Sequence, residues 1–145
     1  MEVQVPRAVG HGEDLVLGII ALDHFKRIND RYGHPAGDQV LIQLGKTLKA
    51  ALRQNDLACR YGGEEFAFIL PGTDIDHARI VCERLHTAIG AMEVCYEDQE
   101  ICVTASIGMA VAAGTDSSQT LLTQADTALY SAKNSGRNCV EVYAG

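Results

Sequence analysis

Eight consecutive apolar residues, Leu15–Leu22 (LVLGIIAL), constrain the fold more than any other segment of this chain. The run is far short of the roughly 20 residues that a membrane-spanning helix needs. It reads instead as a β-strand buried on both faces. Such a strand belongs in the middle of a sheet, with another layer packed on each side. The 145 residues suffice for one domain with a sizeable core. A net charge of −7 argues against nucleic-acid binding, whose usual footprint is a basic face. It leaves room for a small phosphate ligand held by a few local cations.

The flanking pattern supplies the other layers. Helical signals begin at Asp23, a candidate N-cap, and run to about Tyr32, where Gly33 and Pro35 break them. Over residues 37–53, Val40, Leu41, Leu44, Leu48 and Leu52 form one apolar stripe, which predicts an amphipathic helix. Two short strands follow, Leu57–Tyr61 and Glu65–Leu70, joined at Gly62-Gly63 in a hairpin whose turn residues tolerate positive φ. Pro71-Gly72-Thr73-Asp74 ends the second strand and can cap a helix that turns Ala78, Val81, Leu85, Ala88 and Ile89 inward. A second hairpin is expected from Met92–Tyr96 and Glu100–Val111. Ser117 or Ser118 caps a helix to about Asn134, ended by Gly136, and Val140–Tyr143 forms a last strand. The expected fold is an α/β sandwich with a mixed, mainly antiparallel central sheet flanked by helices. Residues 1–13 read as a linker and 14–145 as a single domain.

Five cysteines, at 59, 82, 95, 102 and 139, have neither zinc-site nor Cys-x-x-Cys spacing. Cys59 and Cys102 fall in apolar stretches, where a free thiol acts as a small hydrophobe. Reduced thiols and the lack of a secretory pattern predict a cytoplasmic domain without membrane contact.

Three segments carry candidate chemistry. In Arg60-Tyr61-Gly62-Gly63-Glu64-Glu65-Phe66 the glycine pair lets a ligand approach the backbone, and adjacent carboxylates suit Mg²⁺, a hard cation that shares its oxygen ligands with substrate phosphates. A solvated hairpin tip with two surface acids would carry the same residues. The segment after the buried strand, Asp23 to Asp38, opens a helix where free N–H groups attract anions. Lys26 adds a cation there, and Asn29 and Asp38 offer the amide and carboxylate that read a purine edge. The bland reading of that segment is ordinary caps and surface charges. Lys133 and Arg137 bring two cations to a helix C-terminus, which the helix dipole alone would explain.

Together these segments resemble a known family. LDHFKRINDRYGHPAGD, RYGGEEF, TASIGMA and ADTALYSAKNSGRN occur in the order and spacing of GGDEF domains, the diguanylate cyclases, over roughly residues 15–143. The resemblance implies a cyclase/polymerase-palm-like fold and condensation of two GTP molecules into cyclic di-GMP with release of two pyrophosphates. It implies Glu64 and the Leu22 carbonyl as ligands of Mg²⁺ or Mn²⁺, and Glu65 as a base for the attacking hydroxyl. Lys26 and Phe25 would form the phosphate-holding turn, with Lys26 stabilising transition-state charge. Asn29, Asp38 and His34 would contact guanine and substrate, Gly62 and Gly63 would line the approach, and Lys133 and Arg137 would grip the terminal phosphates.

The resemblance also implies that each domain is a half-site needing a second copy, and that a sensor domain accompanies it. Arg53 and Asp56, an Arg-x-x-Asp, together with Arg84 match a product-inhibition site for cyclic di-GMP, although an Arg-x-x-Asp is more often a plain surface ion pair. One position departs from the pattern. Ala21 stands where the family usually has a metal-binding Asp. Asp23, about 6.6 Å further along the strand, is the conceivable substitute, although Mg²⁺ wants its oxygens at about 2.1 Å. The departure implies weakened catalysis, or a catalytically silent module that binds GTP or cyclic di-GMP and signals to a partner domain.

Overall fold

The computed structural model describes residues 15–112 and 117–143, so the expected linker over residues 1–13 lies outside the described part. The apolar run forms β1 (Leu15–Leu22), buried along its whole length. It is the central strand of a five-stranded sheet, pairing antiparallel with β3 (Glu65–Pro71) on one side and β6 (Ala105–Val111) on the other. The edges are β2 (Leu57–Arg60), antiparallel to β3, and β7 (Val140–Val142), parallel to β6. Alternation along β1 divides the core. Val16, Ile20 and Leu22 face the layer of α1 (Phe25–Tyr32), α2 (His34–Ala51) and α3 (Ile75–Gly90). Leu15, Leu17, Ile19 and Ala21 face α4 (Ser118–Asn134). Gly18 lacks a side chain because the Phe68 ring of β3 covers it, and a Cβ there would collide with that ring. None of the described helices is long and apolar enough to cross a membrane.

Several local expectations need correction. Asp23 does not cap α1. His24 holds that position in a left-handed conformation (φ 56°), and the Asp23 side chain turns elsewhere. The second helix starts at His34, with Pro35 in its first turn where a missing N–H costs nothing, and it ends at Ala51. Leu52 is already extended. The Gly62-Gly63 connection is not a two-residue turn of positive φ: neither glycine is left-handed, and four residues, 61–64, join the strands. In α3 the fully buried set is Ala78, Cys82, Leu85 and Ile89, with Val81 and Ala88 only half-buried.

The expected strand over Glu100–Val111 breaks in two at residues 102–104. β5 (Gln99–Ile101) pairs with β4 (Val94–Tyr96) in a separate ribbon around a Glu97-Asp98 turn with both φ positive, while β6 joins the main sheet. Cys102 is therefore exposed and Cys59 half-buried on an edge strand. Cys82 is the core thiol, its pKa pushed by burial to about 12. All five cysteines are free.

Candidate active site

The C-terminal end of β1 opens onto α1, and a cleft of about 460 Å³ lies between α1, the start of α2 and the 61–64 turn. Lys26 and Asn29 of α1, His34 and Asp38 of α2, and Glu64 of the turn line it together, so the cleft gathers residues from both sequence segments. Phe25 also borders it, although its side chain is buried, which leaves mainly backbone for a ligand. Asn29 is the most informative member. Its Oδ1 is buried with no hydrogen-bond partner, packed against Gly37, where any Cβ would displace it. Buried polar atoms are nearly always paired in a native protein, which sets Asn29 apart among the residues that line the cleft.

The turn is held from within. The Tyr61 and Gly62 amides donate to the Glu65 carbonyl at 2.8 and 3.1 Å. Arg60 donates from Nε to the Gly62 carbonyl (3.1 Å) and from Nη2 to the Gly63 carbonyl (2.6 Å), clamping both glycines. No atom lies within 4 Å of a Cβ built on Gly63, so the approach over that glycine is open, whereas Glu65 Oε1 lies 3.6 Å from a Cβ built on Gly62. Arg60 was missed as a functional candidate, although its place two residues before the glycine pair is a usable signal. Leu22 N–H reaches the Glu64 carbonyl at 3.4 Å, which brings the last residue of β1 beside that acid.

Glu65 lies on the other face. It stands directly across the ladder from Ala21, toward α4, with its carboxylate 4.0 Å from the Lys133 ammonium. Burial pushes the Glu65 carboxyl above the ordinary glutamate range. Lys133 opposes that rise, while Asp126 and Glu64 add to it. Asp126 also went unnoticed in the sequence, though it sits seven residues before Lys133 and hence two turns away on the same helix face. A carboxyl raised in the native state binds more protons folded than unfolded. Stability therefore falls as pH rises from the unfolded value through the native one. Glu65→Gln is expected to remove that fall and melt higher than the parent at pH 7, by thermal melts from pH 4 to 8. Unchanged melting profiles would contradict the assignment.

Asp23 does not replace a ligand at position 21. Its carboxylate is buried, with Oδ1 accepting from Ser106 Oγ (2.6 Å) and Oδ2 from Thr104 Oγ1 (2.6 Å) and the Asn138 amide (2.9 Å). Both oxygens are committed. Among the described residues no three His, Cys, Asp or Glu side chains converge as a metal cage. Leu22 and Glu64 are joined through their backbones at the end of β1, and one hard cation needs only one or two protein oxygens when nucleotide and water supply the rest.

Lys133 lies at the far end of α4 and Arg137 just beyond it, outside the walls of the cleft proper. A further cluster sits away from the cleft. Asp56, almost wholly buried, accepts from the Arg53 backbone N–H (2.8 Å), Nε (3.2 Å) and Nη2 (3.1 Å), and the same Nη2 reaches Thr73 at 2.7 Å. Arg84 crosses from α3 to donate to the Ala51 carbonyl at 3.2 Å, two residues from Arg53. The structure thus joins Arg53 to Asp56 and sets Arg84 on Ala51, two residues before Arg53. Asp56 is spent on aiming Arg53 and is not free to read a base.

Comparison with known proteins shows the family and the fold. The family model described as diguanylate cyclase, GGDEF domain, matches residues 1–139. The chain is 41% identical over 142 residues, 98% of its length, to diguanylate cyclase DgcP of Pseudomonas aeruginosa. It is also 41% identical over 139 residues, 94% of its length, to the response regulator PleD of Caulobacter vibrioides. It spans only 21% and 31% of those two relatives. Among solved structures, the GGDEF domain of DgcB from Caulobacter crescentus in complex with c-di-GMP matches at a TM-score of 0.88 and 30% identity, covering 92% of this chain and 80% of that one. Diguanylate cyclase SiaD, solved with its activator SiaC from Pseudomonas aeruginosa, matches at 0.88 and 35%, covering 90% and 50%.

Proposed function

This chain belongs to the GGDEF family of diguanylate cyclase domains, and from that premise we propose that it is the GTP-condensing unit of a longer signalling protein. The observation that carries the reading is the cleft itself, where the orphaned Asn29 amide, the Asp38 carboxylate, the Lys26 ammonium and Glu64 converge. Asn29 and Asp38 suit the edge of guanine, with the carboxylate accepting from its N1–H and exocyclic amine. His34 adds a contact at the rim. The glycines let the phosphates lie close to the backbone, and Lys26 neutralises charge as it develops on them. Lys133 and Arg137 would hold the terminal phosphates.

In the reaction, each 3′-hydroxyl attacks the α-phosphorus of the opposite GTP. Two P–O bonds form, two pyrophosphates leave, and each hydroxyl gives up one proton. Glu65, on the α4 face opposite Ala21 and beside Lys133, would act as base only for a hydroxyl presented on that side of the strand end, and its raised pKa would make it a better proton acceptor than an ordinary glutamate. A Mg²⁺ or Mn²⁺ ion held by Glu64 and the Leu22 carbonyl would supply charge neutralisation on the phosphates. Arg53 and Arg84, aimed by Asp56, would bind the product cyclic di-GMP and restrain turnover. The DgcB domain solved with c-di-GMP supports a dinucleotide as ligand.

A second reading is favoured by Ala21, which is wholly buried and whose side chain has no oxygen to offer a cation. Under it the domain binds nucleotide without turning it over and signals to a partner domain. The half-site geometry separates the two. A cyclase must bring two copies face to face, so product formed per molecule should rise with protein concentration. Pyrophosphate release measured over a hundredfold dilution tests this. A specific activity that climbs with concentration supports the cyclase, and a constant one contradicts the half-site reaction.

A further inference from the structure

We propose that Asp23 is a positioning residue that holds the Gly136–Asn138 loop, and with it Arg137, in place at the phosphate end of the site. The inference rests on the reading of the cleft as a GTP site. Asp23 ends the β1 segment, and its buried carboxylate has no cation within salt-bridge distance among the described residues. It is satisfied by two hydroxyls of the β6 segment, Thr104 and Ser106, and by one main-chain amide 115 residues away, that of Asn138. The two O–H donors at 2.6 Å are as short as hydrogen bonds to a charged acceptor become. Asp23 also donates its own N–H to the Thr104 carbonyl at 2.9 Å, which fixes its backbone against β6.

The loop it grips is unusual. Gly136, Arg137 and Asn138 all have positive φ (110°, 65° and 50°), a region that asparagine tolerates but that costs an arginine energy its surroundings must offset. Asn138 is held twice: its amide by Asp23, and its side-chain Oδ1 by His86 Nε2 of α3 at 2.7 Å. The Arg137 amide caps α4 through the Ala132 carbonyl at 3.0 Å. Arg137 therefore sits between two anchored peptides, one tied to the helix end and one to β1. Remove the Asp23 acceptor and the amide of Asn138 loses its partner. The nearest hold from the sheet is then one residue further on, where the Ile107 N–H donates to the Cys139 carbonyl at 2.9 Å.

An asparagine at position 23 can keep the arrangement. Its Oδ1 can accept from Asn138 and Thr104, while its Nδ2 donates to Ser106 Oγ, since a hydroxyl both donates and accepts. A metal-ligand role would not survive that exchange, whereas a positioning role should.

Calorimetric titration of GTP and GMP against the parent, Asp23→Ala and Asp23→Asn tests the proposal, because GMP lacks the terminal phosphates that Arg137 would hold. Asp23→Ala is expected to weaken GTP by roughly tenfold to a hundredfold and GMP by less than about twofold, on the scale of a lost charge-assisted contact. Asp23→Asn should stay within about threefold of the parent for both. In an Arg137→Ala background, Asp23→Ala should cost GTP little more. Should Asp23→Ala not fold, Thr104→Val removes one donor and is expected to give a several-fold loss confined to GTP.

A parental GTP-to-GMP ratio preserved in Asp23→Ala, or in Thr104→Val where that replaces it, overturns the proposal. So does an Asp23→Asn variant as weak as Asp23→Ala, which would mean that the charge is what counts. A parent that binds neither nucleotide overturns the reading of the cleft first.

Discussion

Ala21→Asp is expected to raise GTP turnover on the order of 10²-fold, the usual effect of restoring a group that organises transition-state charge. The physical reason lies in what surrounds the methyl group. Ala21 closes β1 on its α4 face, wholly buried, opposite Glu65 on one neighbouring strand and Ser106 on the other. Asp23 has both oxygens engaged elsewhere, which leaves Glu64 and Glu65 as the carboxylates at the strand end. A carboxylate at 21 would complete an oxygen set for the cation. It would also stand beside Glu65, whose carboxyl burial already disfavours as an anion. In metal-free buffer the variant should melt lower than the parent, because two like charges are then buried together. Mg²⁺ should raise its Tm more than the parent's, since a ligand stabilises the state that binds it better. Turnover unchanged by the substitution would mean that Ala21 is harmless or that the defect lies elsewhere.

Arg53→Ala is expected to weaken cyclic di-GMP binding by roughly 10- to 150-fold while leaving GTP binding nearly unchanged, the loss of one charge-assisted contact. The structure refines why. The Asp56 carboxylate is used up by three bonds from Arg53, and Thr73 takes a further N–H, so the guanidinium is fixed before any ligand arrives. The Arg53 side chain still exposes 56% of its surface, enough for a phosphate or a guanine edge to reach it. Arg84 lies alongside through Ala51, and the cluster shares none of Asn29, Asp38 or Lys26 with the cleft. Titration of both ligands against the variant decides the matter. A dinucleotide held as tightly as by the parent would place the product elsewhere, with the cleft the first candidate.

What the sequence revealed and concealed follows from the range of the interactions. β1, α2, α3 and α4 were legible because burial patterns repeat locally, and the central place of β1 followed from its lacking a polar face. Gathering Lys26, Asn29, Asp38 and Glu64 into one cleft needed the family resemblance, since no local rule joins α1 to a turn 35 residues on. The break at residues 102–104 was hidden because Ile101, Val103 and Ala105 keep a strand-like alternation across it. Asp23 looked like a helix cap because Asp before a helical run usually is one. Its partners at 104, 106 and 138 lie just before β6, on it and beyond α4, beyond the reach of any local pattern. Asp126, by contrast, was within reach of helix periodicity from Lys133.

The central claim is that this cleft is one half of a site that joins two GTP molecules, and product analysis tests it most directly. The parent and Ala21→Asp, each at high protein concentration, are incubated with GTP and Mg²⁺, and cyclic di-GMP and pyrophosphate are quantified together. Two pyrophosphates are expected for every cyclic di-GMP, slowly in the parent and about 10²-fold faster in the variant. GTP left intact by both proteins, or pyrophosphate released without the cyclic dinucleotide, would contradict it.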